Sequence, residues 1–374
     1  MNSLSMRFKL SLSVVLILAF SMGSLSFVAW RSMSSNATES IEHSASSMKE
    51  TINGRLHDIA QATALETSAL LNRNFDITVH LAAILSSTAR GATAPNYSRA
   101  QIKQMTYDIL LASPSASAIY AQFDPNGYDG RDAEFVGDRL YSSEVGSIGI
   151  YWVADKGKAI FNHVAFSSQS DATRDENGQR KSEWYLCSKD SVKPCLMEPY
   201  LYEITPGNSM LMTSLVTPVV VNGEFRGVAG LDINLPVLQK RLLEQAQTLY
   251  GGKTNMFLLS SNNLVLASNQ HPEYLGKSLA ASDKELFDLL KQNTRDQFIH
   301  NDQIITVQPI KVDATQNSWS MVIVTPTAIA YGVVDNLSQS LEQSSITTAT
   351  NMVILAIILL FIFGVVVSLW IKKS

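Results

Sequence analysis

Two uncharged stretches bound what this chain can fold into. Leu10–Trp30 runs 21 residues without a charge, and Met352–Ile371 runs 20. At about 1.5 Å of rise per helical residue, each can cross roughly 30 Å of hydrocarbon. Both are read as transmembrane helices. Arg7 and Lys9 precede the first span, and Lys372 and Lys373 follow the second. The positive-inside rule then places both ends, 1–9 and 372–374, in the cytoplasm. The intervening residues 31–351 face outward, across a bacterial inner membrane. A cleaved signal peptide is the competing reading of the first span. Its apolar part is longer than a signal core of roughly 7–15 residues, and Trp30-Arg31 is an anchor-like end rather than a small-residue cleavage site.

That compartment decides what the cysteines can do. There are two in 374 residues, Cys187 and Cys195, within EWYLCSKDSVKPCLMEPY. An even, minimal count outside the cytoplasm favours a disulfide. Closing so short a loop contributes about 2.5 kcal/mol in the chain-entropy model. A zinc site is the alternative, but two cysteines without a nearby histidine pair are too few ligands.

Between the spans, the fold class reads as α+β. From 31 to 90 the chain is rich in Ala, Ser, Leu and Glu, with Ile41, Ala45, Met48, Ile52, Leu56 and Ile59 at steps of three and four. This predicts a long helix with a narrow apolar seam, which near the membrane is suited to pairing with a second copy. Residues 91–248 hold the short β-like runs SAIYAQF, IYWVAD, AIFNHVAF, EWYLC, LMTSLVTPVVV and FRGVAGLDINL, then a helix from Leu235. Residues 249–327 repeat the pattern on a smaller scale with NMFLLSS, NLVLASN, QFIHND, QIITVQPIK and WSMVIVTP. Gly, Asn, Asp and Pro punctuate both sets, as in antiparallel sheets. Residues 328–351 return as a helix to the second span.

Enzymatic chemistry finds no foothold. The six histidines show no HExxH spacing, and there is no G-x-S-x-G elbow. GGKT at 251–254 lacks the first glycine of a phosphate loop, and reads as a turn between modules. DPNGYDGRD at 124–132 resembles a calcium loop but has Asp129 where the glycine belongs; a solvent-facing turn is expected. The net charge of −4 and the absence of a basic block argue against nucleic acid. No cofactor is implied.

What remains is the aromatic cluster. Trp184 and Tyr185 would point to opposite faces of a strand, while Tyr200 and Tyr202 share one. Aromatics with polar tips wall a pocket and attract ammonium groups. Asp232 interrupts the apolar run GVAGLDINL, where a carboxylate is costly unless paired. It either meets a bound ammonium, caps the helix beginning near Pro236, or accepts backbone N–H groups. The disulfide would staple a loop joining two strands that carry these aromatics, or would simply stabilise an exposed loop.

The order WY, EPY, LMTSLVTPVVVNGEFRGVAGLDINL, set between a long helix and a second span, resembles the double Cache sensory domain of bacterial methyl-accepting chemotaxis proteins. The resemblance covers about 31–350. It implies two PAS-like modules on a long helix, a ligand in the membrane-distal one, and a homodimer. In amino-acid-binding members an Arg two residues before Trp-Tyr grips the ligand carboxylate, and downstream Tyr and Asp hold its amino group. Trp184, Tyr185, Tyr200 and Asp232 match by order and spacing. The Arg position is Ser182, with Arg180 one pleat away on a strand. Unless Arg180 reaches in, the pocket keeps only its ammonium-binding half, which favours amines such as polyamines or histamine-like molecules over α-amino acids. Glu183, Asp171 and Asp175 add negative charge nearby. Family members continue into a HAMP linker and a cytoplasmic signalling coil, neither of which is found before Ser374; the output is expected from a segment or partner outside these residues. A histidine kinase, a cyclic-dinucleotide enzyme, or a ligand-free interaction protein are the alternative readings.

Overall fold

The computed structural model describes residues 6–155, 157–205 and 208–373. Residues 1–5 of the expected cytoplasmic 1–9 segment and Ser374 of the 372–374 end lie outside them. The chain divides into a globular unit, Leu56–Pro326, and a helical unit, Met1–Arg55 with Thr327–Ser374. Helix α1, Met6–Thr88, runs through both.

Along α1 the expected seam changes character. Ile41, Ala45 and Ile52 are half-buried and Met48 is exposed, whereas Leu56, Leu71, Phe75, Leu81 and Leu85 are buried. In the globular unit, helix α2, Arg99–Leu111, follows with a capping box in which Ser98 and Gln101 satisfy each other's backbone N–H groups. Strands β1 (Ala118–Phe123), β2 (Gly149–Asp155) and β3 (Lys158–Phe161) come next, then helix α3 (Glu183–Ser191). Strands β4 (Cys195–Leu196), β5 (Tyr200–Thr205), β6 (Asn208–Val221) and β7 (Glu224–Asn234) complete a seven-stranded antiparallel sheet of order β3-β2-β1-β7-β6-β4, with β5 also on β6. Helix α4, Leu235–Thr248, leads away, and Tyr250–Gly252 forms a short turn before the second module. That module has strands β8 (Asn255–Leu259), β9 (Val265–Ser268), β10 (Gln297–His300), β11 (Gln303–Lys311) and β12 (Ser318–Pro326), ordered β10-β11-β12-β8-β9, with helices α5 (Leu279–Ser282) and α6 (Lys284–Gln292) between β9 and β10. The α+β reading with two antiparallel-sheet modules thus describes the molecule.

Helix α7, Thr327–Lys373, belongs to the helical unit. There Lys49 Nζ meets Asp335 Oδ1 at 2.7 Å, and the Tyr331 hydroxyl donates to Asn53 Oδ1 at 2.7 Å, tying α1 to α7. Both helices carry windows long and apolar enough to cross a membrane.

Two expectations are corrected. EWYLC is not a strand but the start of α3. β-propensity of aromatic residues reflects fit to a half-buried surface, and a helix offers one as well: Tyr185 and Ser188, one turn apart, are its buried positions. Glu183 in the first turn and Lys189 in the last suit the helix dipole, and Val192 in the left-handed region with Pro194 beyond ends it. The disulfide between Cys187 and Cys195 therefore ties a helix to β4, not strand to strand.

The second correction concerns DPNGYDGRD. It is not a solvent-facing turn but wraps a buried cation. Arg99, with a side chain 2% exposed, donates from Nε and Nη2 to the Asp129 carboxylate and from Nη2 to Asp132 Oδ1. It also donates to Ser142 Oγ and Gly146 O, and lies 3.9 Å over the Phe135 ring. The carboxylates that suggested calcium serve an internal guanidinium. No group of acidic, His or Cys side chains fit for a metal occurs among the described residues.

Candidate functional site

The register of the first sheet assembles the site. Side chains alternate across a sheet, so Tyr120 and Gln122 of β1 share a face. Tyr120 stands opposite Tyr151 of β2 and Gly230 of β7; Asp232 of β7 stands opposite Ser214 of β6, and Tyr200 of β5 opposite Met212. One face thereby gathers tyrosines around a single carboxylate. The opposite face carries Ile119, Ala121, Leu215, Leu231 and Ile233, all buried, and meets α1 where Thr78 and Thr217 share a hydrogen bond of 2.8 Å.

Over the polar face lies a cavity of about 190 Å³. Tyr120, Tyr151, Tyr200, Tyr202, Trp184 and Asp232 wall it, together with Gln122 and with His163, Val164, Ala165 and Ser168 of the 163–168 segment. That segment is held by Gln169 Nε2 donating to Gln122 Oε1 at 2.9 Å and by the Phe166 N–H donating to Glu144. The rings meet edge to face: Tyr120 with Trp184 at 5.3 Å, Tyr151 with Tyr202 at 5.6 Å. This geometry aligns ring quadrupoles.

Asp232, 1% exposed, is the electrostatic centre. Ser214 Oγ donates to its Oδ1 at 2.6 Å, and the Tyr151 hydroxyl to its Oδ2 at 3.2 Å. With its proton committed there, Ser214 accepts from the Tyr200 hydroxyl at 2.7 Å. Burial pushes the Asp232 carboxyl up to about 6, with the Ser214 and Tyr151 bonds working against it. Burial and then the Asp232 charge raise the hydroxyls of Tyr120, Tyr151 and Tyr200 well above their ordinary range, so they remain protonated. Tyr202 is pushed up to about 12 by the same causes. Among the described residues no Lys or Arg pairs with Asp232, and neither lines the cavity.

Of the residues singled out in the sequence, Trp184, Tyr200, Tyr202 and Asp232 come together at the cavity, and the other four do not line it. Tyr185 is buried behind the wall, its hydroxyl donating to Asp124 Oδ1 at 2.7 Å. Arg180 does not reach in. It forks onto Glu183 and also bonds Asp190 Oδ2 at 2.8 Å, which occupies both Arg180 and Glu183 outside. Ser182 is buried, its hydroxyl donating to Ser168 O at 2.5 Å and accepting the Asp171 N–H at 2.8 Å. Asp232 does not cap a helix, since α4 starts after Asn234.

Tyr120, Tyr151, Gln122 and Ser214 were missed. A signal existed for Tyr120 and Gln122: they put polar atoms at alternate positions of a strand buried throughout. Gly230 carries another. A Cβ there would come within 2.0 Å of the Tyr120 ring, so only glycine lets that ring lie flat against β7. Gly230→Ala is expected to push the ring into the cavity and cost about 1–3 kcal/mol, read as a lower urea midpoint; an unchanged midpoint would show that the ring has room.

A half-open aromatic and acidic cavity on the first of two PAS-like sheets, in a chain with two helices long and apolar enough to cross a membrane, defines a sensory ligand-binding module of the inner-membrane, two-span kind. The Cache domain family model, in its double form, matches residues 31–334, and the chain belongs to that family. It is 30% identical over 251 residues to the methyl-accepting chemotaxis protein TlpQ of Pseudomonas aeruginosa, an alignment covering 66% of this chain and 35% of TlpQ. The chain thus spans about a third of the length of that curated relative. Among solved structures, the extracellular domain mmHK1S-Z3, from a protein assigned as a histidine kinase, superposes with a TM-score of 0.62 at 20% identity, covering 77% of this chain and 98% of that one. The periplasmic sensory domain of the Campylobacter jejuni chemoreceptor Tlp1 does so at 0.58 and 13% identity, covering 75% and 98%. At these identities the likeness is one of fold.

Proposed function

We propose that the cavity takes a small primary amine, held as its ammonium by Asp232, and that the chain is the sensory region of a homodimeric chemoreceptor. The observation that carries this is a buried carboxylate with hydroxyl partners and, among the described residues, no cationic one. An ammonium supplies the missing charge. The Tyr120 hydroxyl, buried and without a hydrogen bond, offers an acceptor for a second N–H. Trp184 and Tyr202 present rings to the remainder. In this reading Trp184, Tyr200, Tyr202 and Asp232 contact the ligand, with Tyr120 and Tyr151. Tyr185, Ser182, Arg180 and Glu183 brace the wall from outside. With Ser182 where an Arg would grip a carboxylate, α-amino acids lose half their recognition.

Ligand binding then biases two states of the modules and helices, and a differential affinity of about 1.4 kcal/mol shifts their ratio tenfold. The seam of half-buried Ile41, Ala45 and Ile52 with exposed Met48 supports pairing with a second copy. The likeness to TlpQ supports chemotaxis as the output through a cytoplasmic signalling module. Histidine kinase output is the second reading, supported by the fold shared with mmHK1S-Z3.

Thermal unfolding of the full chain in nanodiscs tests the ligand class. Putrescine or histamine at 100 times its dissociation constant should stabilise by about 2.7 kcal/mol, with alanine and tetramethylammonium inert at equal concentration. Alanine shifting the transition as far as the amines would remove the primary-amine reading.

A further inference from the structure

The cavity and the second sheet module are joined by a strip of five residues, Leu196 to Tyr200. At one end Leu196 pairs with Leu215 of β6, and at the other Tyr200 pairs with Met212. Four steps along the strip therefore face three along β6. The extra residue is a bulge, which turns a side chain out of the pleat. Met197 keeps to the ladder: its N–H donates to Ser214 O and its carbonyl accepts from Thr213 Oγ1. Glu198 leaves it. Its Oε1 accepts the Asn262 N–H at 3.2 Å, in the turn between β8 and β9 of the second module. Leu196 O accepts from Asn317 Nδ2 at 3.3 Å, in the turn between β11 and β12.

We propose that this strip is the mechanical link between the two modules, with Glu198 the positioning residue that carries a displacement of Tyr200 to the Asn262 turn. Tyr200 is bonded to Ser214, and Ser214 to Asp232, so a change in what Asp232 binds alters the acceptor that Tyr200 faces. Pro199 stands between Tyr200 and Glu198. Proline fixes its own φ and restricts the residue before it, so few torsions are free to absorb the movement. The start of the strip is pinned as well, because Cys195 is bonded to α3 next to the Trp184 wall. Room to move exists on the other side: Tyr200 also borders a cleft of about 650 Å³ between the modules, lined by Leu201, Leu211 and Leu275–Lys277 among others.

The link rests on the amine reading only for what triggers it, so its test uses no ligand. Hydrogen exchange is followed in peptides covering 260–264 of the full chain in nanodiscs. Tyr200→Phe removes the hydrogen bond to Ser214 and should speed exchange there about fivefold, the effect of one hydrogen bond. Glu198→Ala should speed it too, and adding Tyr200→Phe to Glu198→Ala should change nothing more. In Glu198→Gln, whose amide oxygen still accepts from Asn262, Tyr200→Phe should again act. Additive effects of the two substitutions, or a Tyr200→Phe variant with unchanged exchange at 260–264, overturn the link.

Discussion

Exchanging Asp232 for Asn is expected to weaken amine binding about thirtyfold or more while leaving the ligand-free fold at least as stable. Removing one member of a buried, hydrogen-bonded charge pair costs about 2–5 kcal/mol of affinity. The ligand-free molecule is relieved instead, because Asp232 sits buried with its carboxyl pushed up to about 6. Its folded value lies above its unfolded one, so as pH rises from about 4 the unfolded chain releases its proton first. The stability that the protonated side chain provides is whole below that pH and is lost as pH climbs through about 6, roughly 3 kcal/mol in all. The Asn variant should show no such loss in that window. Amine affinity should move the other way, falling about tenfold per unit below pH 6 as the carboxylate that pairs with the ammonium disappears. Calorimetric titration with putrescine, whose amines stay protonated through this window, at several pH values, beside urea unfolding without it, reads both effects. Wild-type affinity in the Asn variant would falsify the role given to the carboxylate.

Arg99→Ala should be the most damaging single change to the fold. Its guanidinium is shared by Asp129 and Asp132, two carboxylates whose side chains are 10% and 8% exposed. Breaking a buried pair leaves uncompensated charge, at a cost of about 3–5 kcal/mol. Burial works to raise the Asp129 carboxyl, but the bonds and charge of Arg99 more than offset it and hold it below the ordinary value. That contribution is present above the unfolded value near 4 and is lost as pH falls through the folded one. Arg99→Lys should recover little, since a point charge cannot fork onto Asp129 while also meeting Asp132. Urea unfolding at neutral pH measures the loss, and a change of under 1 kcal/mol would show that the loop is held by something else.

How much of this the sequence discloses depends on the range of the interaction. The five strands of the second module stand out because each is an apolar run with its own turn chemistry. The two spans stand out because length and charge suffice. Asp232 is conspicuous as a carboxylate in an apolar strand. Tyr120 and Tyr151 are not, because their place beside Asp232 follows only from the pairing of β1 with β2 and β7, residues far apart along the chain. EWYLC misleads for a local reason: aromatic residues suit strand and helix alike when one face is covered. Arg99 hides for a third, since a single Arg opening a helix looks like a surface residue until the loop 25 and more residues later folds over it.

The bond from Cys187 to Cys195 fastens the helix that bears Trp184 to the strand that leads into Tyr200. It forms only where thiols are oxidised, so two walls of the cavity acquire their fixed spacing after the chain has left the reducing cytosol. A newly made copy awaiting export has the residues of a sensor and lacks its calibration.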